Sequence, residues 1–285
     1  MNEFPVNEST VMFGQSKATC LKKTVAHSGV EIASVVVECP LYITPELLRH
    51  RSFSFCQQSG RATPSAVLLD QVRNNPAFFD EVGINQSGMV ADQSISPEML
   101  EQFRSEWESL AKVCASYVRR WSVEYKIHKQ VANRALIPFM RTRLIITATD
   151  WDGFFEQRIS PKAQPEMRHL AECIDKAIKN TTADIAETHL PWGTESIIQA
   201  VARSARVCVG SHTDKEITPA DDIRLVRMLF ENRHLSPFEH IAYETTSSRC
   251  ANFRYWKSLR FEIETSPDYA LYLLSVDAEK LGGKF

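Results

Sequence analysis

The sequence predicts an α+β fold, with a mixed sheet covered by long helices. Two β-branched segments carry the sheet: residues 30–39 (VEIASVVVEC, closed by Pro40) and residues 142–149 (TRLIITAT) both read as strands. Apolar residues recurring in steps of three and four carry the helices. Strands and helices do not alternate regularly, which argues against a purely parallel sheet.

Taken in chain order, residues 1–16 are polar and without period, and are expected to form a flexible arm ahead of a single domain over residues 17–285. Ser96-Pro97-Glu98 is a helix start, with a capping hydroxyl, a proline at the first helical position and an acid in the first turn. Beyond it Leu100, Phe103, Trp107, Leu110, Cys114, Tyr117 and Trp121 form one apolar stripe, expected to be core. Ser160-Pro161 is expected to open a second helix with Met167, Leu170, Ile174 and Ile178 on one face. Thr218-Pro219-Ala220-Asp221 opens a third, running through Phe230.

Composition narrows the function. The chain has 285 residues and a formal net charge of −2, so a nucleic-acid coat is not expected and any anion site must be local. No stretch is long and apolar enough for a membrane span, and MNEFPVNEST has none of the features of a secretory leader. Seven widely spread cysteines without a C-x-x-C pair argue against a zinc site or a disulfide framework. Free buried thiols are expected, with Cys56 and Cys208 set apart because they fall inside motifs. A soluble cytoplasmic protein binding neither membrane nor nucleic acid, and without a metal, is the expectation. G-x-G-x-x-G and G-x-x-x-x-G-K are both missing, so no Rossmann or P-loop cradle is coded.

Three constellations carry chemistry. Between Arg49 and Arg61 lie three guanidinia, one imidazole, several hydroxyls and two amides, with no acid among them. Such donors suit phosphate oxygens, and Gly60 beside Ser59 would let backbone approach a ligand. Phe53 and Phe55 argue that part of this loop is inside, against the alternative of a solvated basic loop. Arg134, Arg141, Arg143 and Arg158 surround the second strand, and either a ligand anion or the nearby Asp150, Asp152 and Glu156 must answer them. Last, Arg233-His234-Leu235-Ser236-Pro237-Phe238-Glu239-His240 is a tight turn with a hydroxyl, a carboxylate and two imidazoles.

Together these stretches resemble the flavin-dependent thymidylate synthase family. The resemblance rests on Arg49-His50-Arg51 followed by Ser59 and Arg61, on His234 with Ser236-Pro237-Phe238-Glu239-His240, on Thr142 through Arg158 to Ala163-Gln164, and on Ala205-Arg206-Val207. It covers roughly residues 20–260. Ala205-Arg206-Val207 and the Pro237-Phe238-Glu239-His240 element follow the Arg-His-Arg loop here, whereas they precede it in the common form. The chain therefore reads as circularly permuted, similar to a branch from viruses of bacteria that also carries a stretch like Asn252-Phe253-Arg254-Tyr255-Trp256; its compartment would then be the host cytoplasm.

The resemblance implies the family's fold and a homotetramer with shared sites, binding FAD and dUMP and using NADPH and methylenetetrahydrofolate. It assigns Arg49, His50, Arg51, Ser52, Lys162, Ser236 and Glu239 to the flavin. Glu46, Gln57, Gln58, Ser59, Gly60, Arg61, Arg134 and Arg158 go to the nucleotide, with Ser59 and Arg158 catalytic. Ser59 would orient the pyrimidine, Arg158 would stabilise charge on a pyrimidine oxygen, and Arg61 with Arg134 would clamp the phosphate. Lys162 stands where many members have His, Glu46 where others have Gln, Gln57 where others have Glu, Cys208 for Ser and Cys56 for Asn. The stretch from Asp150 to Gly153 is shorter than the common form. The expected reaction is reductive methylation of dUMP to dTMP without an enzyme nucleophile, although a Cys56 thiolate is the chemical alternative. Two further readings stay open: a flavin-dependent hydroxymethylase of dUMP or dCMP, and a nucleotide-binding protein without catalysis.

Overall fold

A computed structural model describes residues 5–88, 91, 93–209 and 216–285; residues 1–4 of the expected arm lie outside the described residues. The main sheet uses β1 (Val11–Phe13), β2 (Ser16–Val25), β3 (Glu31–Pro40), β4 (Ser54–Gln57), β5 (Arg141–Ala148) and β6 (Asp184–Ile185). Its order is β1-β2-β3-β5-β4, antiparallel throughout, with β6 added parallel to β2. A smaller sheet joins β7 (Thr188–His189), β8 (Ala242–Glu244) and β9 (Trp256–Ser258). The fold is α+β with a mixed sheet.

Helices follow as α1 (Thr44–Leu47), α2 (Ser65–Asn74), α3 (Pro97–Val123), α4 (Lys129–Ala132), α5 (Asp152–Arg158), α6 (Pro165–Lys179), α7 (Ile197–Val209), α8 (Pro219–Glu231), α9 (Leu259–Thr265) and α10 (Pro267–Lys280). Among the described residues no helix is long and apolar enough to cross a membrane.

Strand β3 sits at the centre because both its faces are apolar. Ala33, Val35, Val37 and Cys39 meet Met167, Leu170 and Ile174 of α6 on one face. Val36 on the other face meets Cys56 and Ile145, with Trp192 and Cys208 against them. Helices α7 to α10 share a second core through Ile198, Val201, Val226, Phe238, Leu259 and Leu274. A buried polar line runs along the α7 side of the sheet. His189 bonds Thr24 and Ser34, each at 2.8 Å; Ser34 bonds Thr147 at 2.6 Å, and Thr147 bonds His240 at 2.9 Å.

Several expectations need correcting. Residues 5–16 are no loose arm: Val11–Phe13 pair with Ser16–Ala18, and Ser9 is buried with its hydroxyl on the Cys20 carbonyl. The helix expected from Ser160-Pro161 begins at Pro165, after a separate α5, although its apolar face is the expected one. On α3 the deepest residues are Ala111, Ala115 and Val118, while Leu110 and Tyr117 of the stripe face outward. A strict seven-residue apolar repeat drifts round a straight helix, so it cannot stay on one buried line over 27 residues. Helix α8 has the predicted start, a capping box between Thr218 and Asp221.

Candidate active site

The Arg-His-Arg loop is held by its aromatic residues. Phe53 is buried, 4.5 Å from Trp151 and 5.2 Å from Phe154 between ring centres, which folds residues 48–53 onto α5. His50 then stands edge-on to Phe154 at 4.8 Å. From the last turn of α5, Arg158 Nε donates to His50 Nε2 at 3.1 Å and Nη1 donates to a Glu46 carboxylate oxygen at 3.3 Å. Accepting that bond requires a neutral imidazole with its proton on Nδ1. Burial, and then the Arg158 charge, lower the His50 pKa and favour that form. Arg49, His50, Arg51, Ser52, Phe154 and Arg158 line a cavity of about 440 Å³, with Asp150 at its edge.

A second group forms where the chain leaves β4. Gln57 donates to the Thr44 and Thr142 hydroxyls, each at 3.4 Å, beside the helix that carries Glu46. The amide of Gln58 donates to the Arg143 carbonyl and that of Ser59 to the Cys208 carbonyl, both at 2.8 Å. The Ser59 carbonyl closes a turn by accepting from Ala62 and Thr63 amides at 3.0 Å, while its hydroxyl accepts from the Arg61 amide at 3.3 Å. Asn133 donates to the Gly60 carbonyl at 2.9 Å, setting Arg134 beside this turn. Arg61 and Arg134 are both exposed. A Cβ on Gly60 would meet only the end of Met140, at 3.3 Å, so the backbone itself does not demand glycine there.

The third group is the turn Ser236–His240, anchored by fully buried Phe238 and His240. His240 takes the buried, structural role, with its Nδ1 on Thr147, whereas His234 is exposed. Glu239 pairs with Arg260, which also donates to Glu264 at 2.9 Å. Ser54, Glu239, Asn252 and Arg260 line a cavity of about 300 Å³.

One chain therefore assembles Glu46, Arg49, His50, Arg51, Ser52 and Arg158, but leaves the Ser59–Arg61 turn and the Ser236–Glu239 turn outside that cavity. Lys162 is exposed between α5 and α6. The acids expected to answer the arginines are also different. Glu38, opposite Arg143 in the register, takes Arg143 at 2.8 Å and Arg141 at 3.6 Å, and Glu46 takes Arg158. Cross-strand and diagonal neighbours in a sheet lie close enough for this, whereas Asp152 and Glu156 are exposed on α5. Arg141, Arg143 and Arg206 border a larger cavity of about 1050 Å³ against α2 and α7. Sequence reasoning missed Arg260 and quoted Asn252 only within a motif, without a place at this cavity; the Asn252 amide reaches the Phe53 carbonyl at 3.4 Å and the Ser54 hydroxyl at 3.3 Å, contacts made only by folding. It also missed the bond between Cys56 and Cys208, the two cysteines set apart from the expected free thiols. Their 152-residue separation carries no spacing signal.

The family described as thymidylate synthase complementing protein matches residues 20–182. That segment holds the Arg-His-Arg loop and Arg158 but ends before Ala205 and the Ser236–His240 turn. A flavin-dependent thymidylate synthase of Mycobacteroides abscessus is 32% identical over 134 residues, 45% of this chain and 49% of the relative. One from Pyrococcus furiosus is 26% identical over 137 residues, 47% and 48% of the two chains. The chain thus spans about half the length of these curated relatives. Among solved structures, the UMP/dUMP methylase PolB of Streptomyces cacaoi, bound with 5-Br UMP, aligns at 14% identity and a TM-score of 0.46, over 59% of this chain and 94% of that one. Thymidylate synthase X of Helicobacter pylori with FAD and dUMP aligns at 18% identity and 0.36, over 52% and 67%. The match over residues 20–182 covers more than half of the sequence, and the chain belongs to the thymidylate synthase complementing protein family.

Proposed function

We propose that the chain is a flavin-dependent thymidylate synthase that methylates dUMP reductively to dTMP, with FAD as cofactor and methylenetetrahydrofolate and NADPH as co-substrates. The observation that carries this reading is the bond from Arg158 to His50, which brings two motifs 108 residues apart to one cavity.

The residues suit an anionic flavin dinucleotide. Arg49 and Arg51 supply guanidinia for phosphate oxygens, Ser52 a hydroxyl, and Phe154 an apolar wall. At about 440 Å³ the cavity takes part of such a ligand. Ser236, Glu239 and Lys162 lie outside it, so their flavin role requires a site completed by other copies of the chain, as in the homotetramer expected from the resemblance. Bound flavin supplies the redox equivalents of the reaction.

The chain's own groups do the rest. Arg158, oriented from two sides by His50 and Glu46, stabilises negative charge developing on a pyrimidine oxygen. Ser59, on a turn closed by its own carbonyl and outside the Arg158 cavity of its own chain, orients the ring in a site shared between copies. Arg61 and Arg134, joined through the Asn133–Gly60 bond, hold the 5′-phosphate. A Cys56 thiolate is not needed. Cys56 is bonded to Cys208 and only 3% exposed, a setting that disfavours the charged nucleophile.

The position of Glu46 favours a second reading. Its carboxylate bonds Arg158 through one oxygen and can accept from a cytosine amino group with the other, as a hydroxymethylase of dCMP would require. Purified chain is to be incubated with FAD, NADPH, methylenetetrahydrofolate and either dUMP or dCMP. A product heavier by a methyl group from dUMP supports the synthase; a hydroxymethyl product supports the second reading. A colourless protein forming neither is the non-catalytic binding protein. Growth of a thymidine-requiring cell carrying the gene tests the same conclusion.

A further inference from the structure

Cys56 and Cys208 are joined as a disulfide with their Cα atoms 5.7 Å apart, within the usual span of such bridges. The bridge ties two elements on which the nucleotide loop depends. Cys56 lies on β4, three residues before Ser59, and Cys208 lies in the last turn of α7. A second link stands beside it, the Ser59 amide on the Cys208 carbonyl at 2.8 Å. The Ser236 hydroxyl is 3.8 Å from the Cys56 sulfur, so the turn carrying Glu239 meets the same junction. Val36, Ile145, Leu21 and Trp192 pack around the pair. Cys56 is 3% exposed while Cys208 is half-buried, so a reagent reaches Cys208 first. The remaining cysteines Cys20, Cys39, Cys114, Cys173 and Cys250 are free thiols.

We propose that this pair is a reversible thiol–disulfide modification site that sets the order of the loop Gln58–Arg61 and, through it, the affinity for nucleotide. The second half of the proposal rests on the function proposed above. Reduction by a dithiol begins with its thiolate attacking the Cys208 sulfur. The Cys56–Cys208 bond breaks, and Cys56 leaves as a thiolate that takes up a proton. The second thiol of the reductant then displaces Cys208, and the reductant ends as its own disulfide, two electrons having passed to the protein. Oxidised glutathione reverses the sequence and ends as two reduced molecules. With the bridge closed, the loop is held by a covalent tie and an amide bond three residues on. With it open, the tie to α7 is the amide bond alone, beside the loop's bonds to the Arg143 carbonyl and to Asn133. A loop already held in its binding geometry loses less freedom when ligand arrives, so the bridged form binds more tightly.

The test uses the full chain equilibrated with oxidised glutathione or with dithiothreitol. Alkylation and mass spectrometry should find Cys56 and Cys208 protected in the first state and labelled in the second. Hydrogen exchange at the amides of Ser59–Thr63 should speed up at least tenfold on reduction, and the dissociation constant for dUMP should rise at least threefold. Cys208→Ser should behave as the reduced form in both conditions. Both thiols labelled under oxidised glutathione, or exchange at Ser59–Thr63 unchanged by reduction, overturns the switch whatever dUMP does. Faster exchange on reduction with dUMP binding neither form keeps the switch on the loop and rejects the nucleotide reading.

Discussion

His50 accepts a hydrogen bond from Arg158 Nε at 3.1 Å, so the imidazole acts as a rest for the guanidinium and not as an acid. Glu46 fixes the other edge of the same fork at 3.3 Å. Arg158→Lys keeps the charge but loses the two-sided orientation. Turnover of dUMP should fall by about 10²-fold, the size of losing one well-aimed donor. His50→Gln, which can still accept, should lose far less. Steady-state kinetics of the two variants at saturating dUMP would check the difference, and equal losses would reject the orienting role.

If Arg61 holds the phosphate as proposed, Arg61→Ala should weaken dUMP binding by about 1.5–3 kcal/mol, the loss of one charged hydrogen bond. Calorimetric titration measures it, and an unchanged affinity removes Arg61 from the site. Ser59→Ala should keep its flavin colour while turnover drops; loss of flavin with unaltered turnover would refute that assignment.

Acid should destabilise the protein through two buried imidazoles. Burial lowers His189 and His240 to about 3. Unfolded histidine titrates near 6.5, so between that pH and about 3 the unfolded chain binds more protons than the folded one. Their contribution is fully present above pH 6.5 and is lost as the pH falls, by about 2 kcal/mol per imidazole at pH 5. Urea unfolding at pH 7.5 and pH 5 would show the fall, and His189→Gln should remove about half of the pH difference. A stability unchanged between the two pH values would refute it.

Asp222→Ala should be among the most damaging single changes on α8. It strands Arg206, whose side chain is 12% exposed, without its ion-pair partner. Removing one member of a buried pair costs about 3–5 kcal/mol. Thr218→Ala, losing only the cap at the start of the same helix, should cost about 1 kcal/mol. Thermal unfolding of both variants would order them, and a smaller loss for Asp222→Ala would contradict the burial argument.

The sequence by itself determined the strands β3 and β5, the starts of α3 and α8, and the grouping of Arg49, His50 and Arg51 in one loop; that Arg158, assigned with the nucleotide residues, joins that loop was decided by the tertiary structure. Local propensity and capping act over a few neighbours, and a motif keeps its residue types together along the chain, so both are legible in one dimension. Which acid answers which arginine was decided only by tertiary structure: Glu38 reached Arg143 through a strand register, and Glu46 reached Arg158 through the docking of a loop on α5. The same holds for the Cys56–Cys208 bond, the Arg260 partner of Glu239 and the inward line of α3. Each depends on a contact between distant segments, whose free energy comes from burying surfaces against one another after the local elements exist, and spacing along the chain does not encode it.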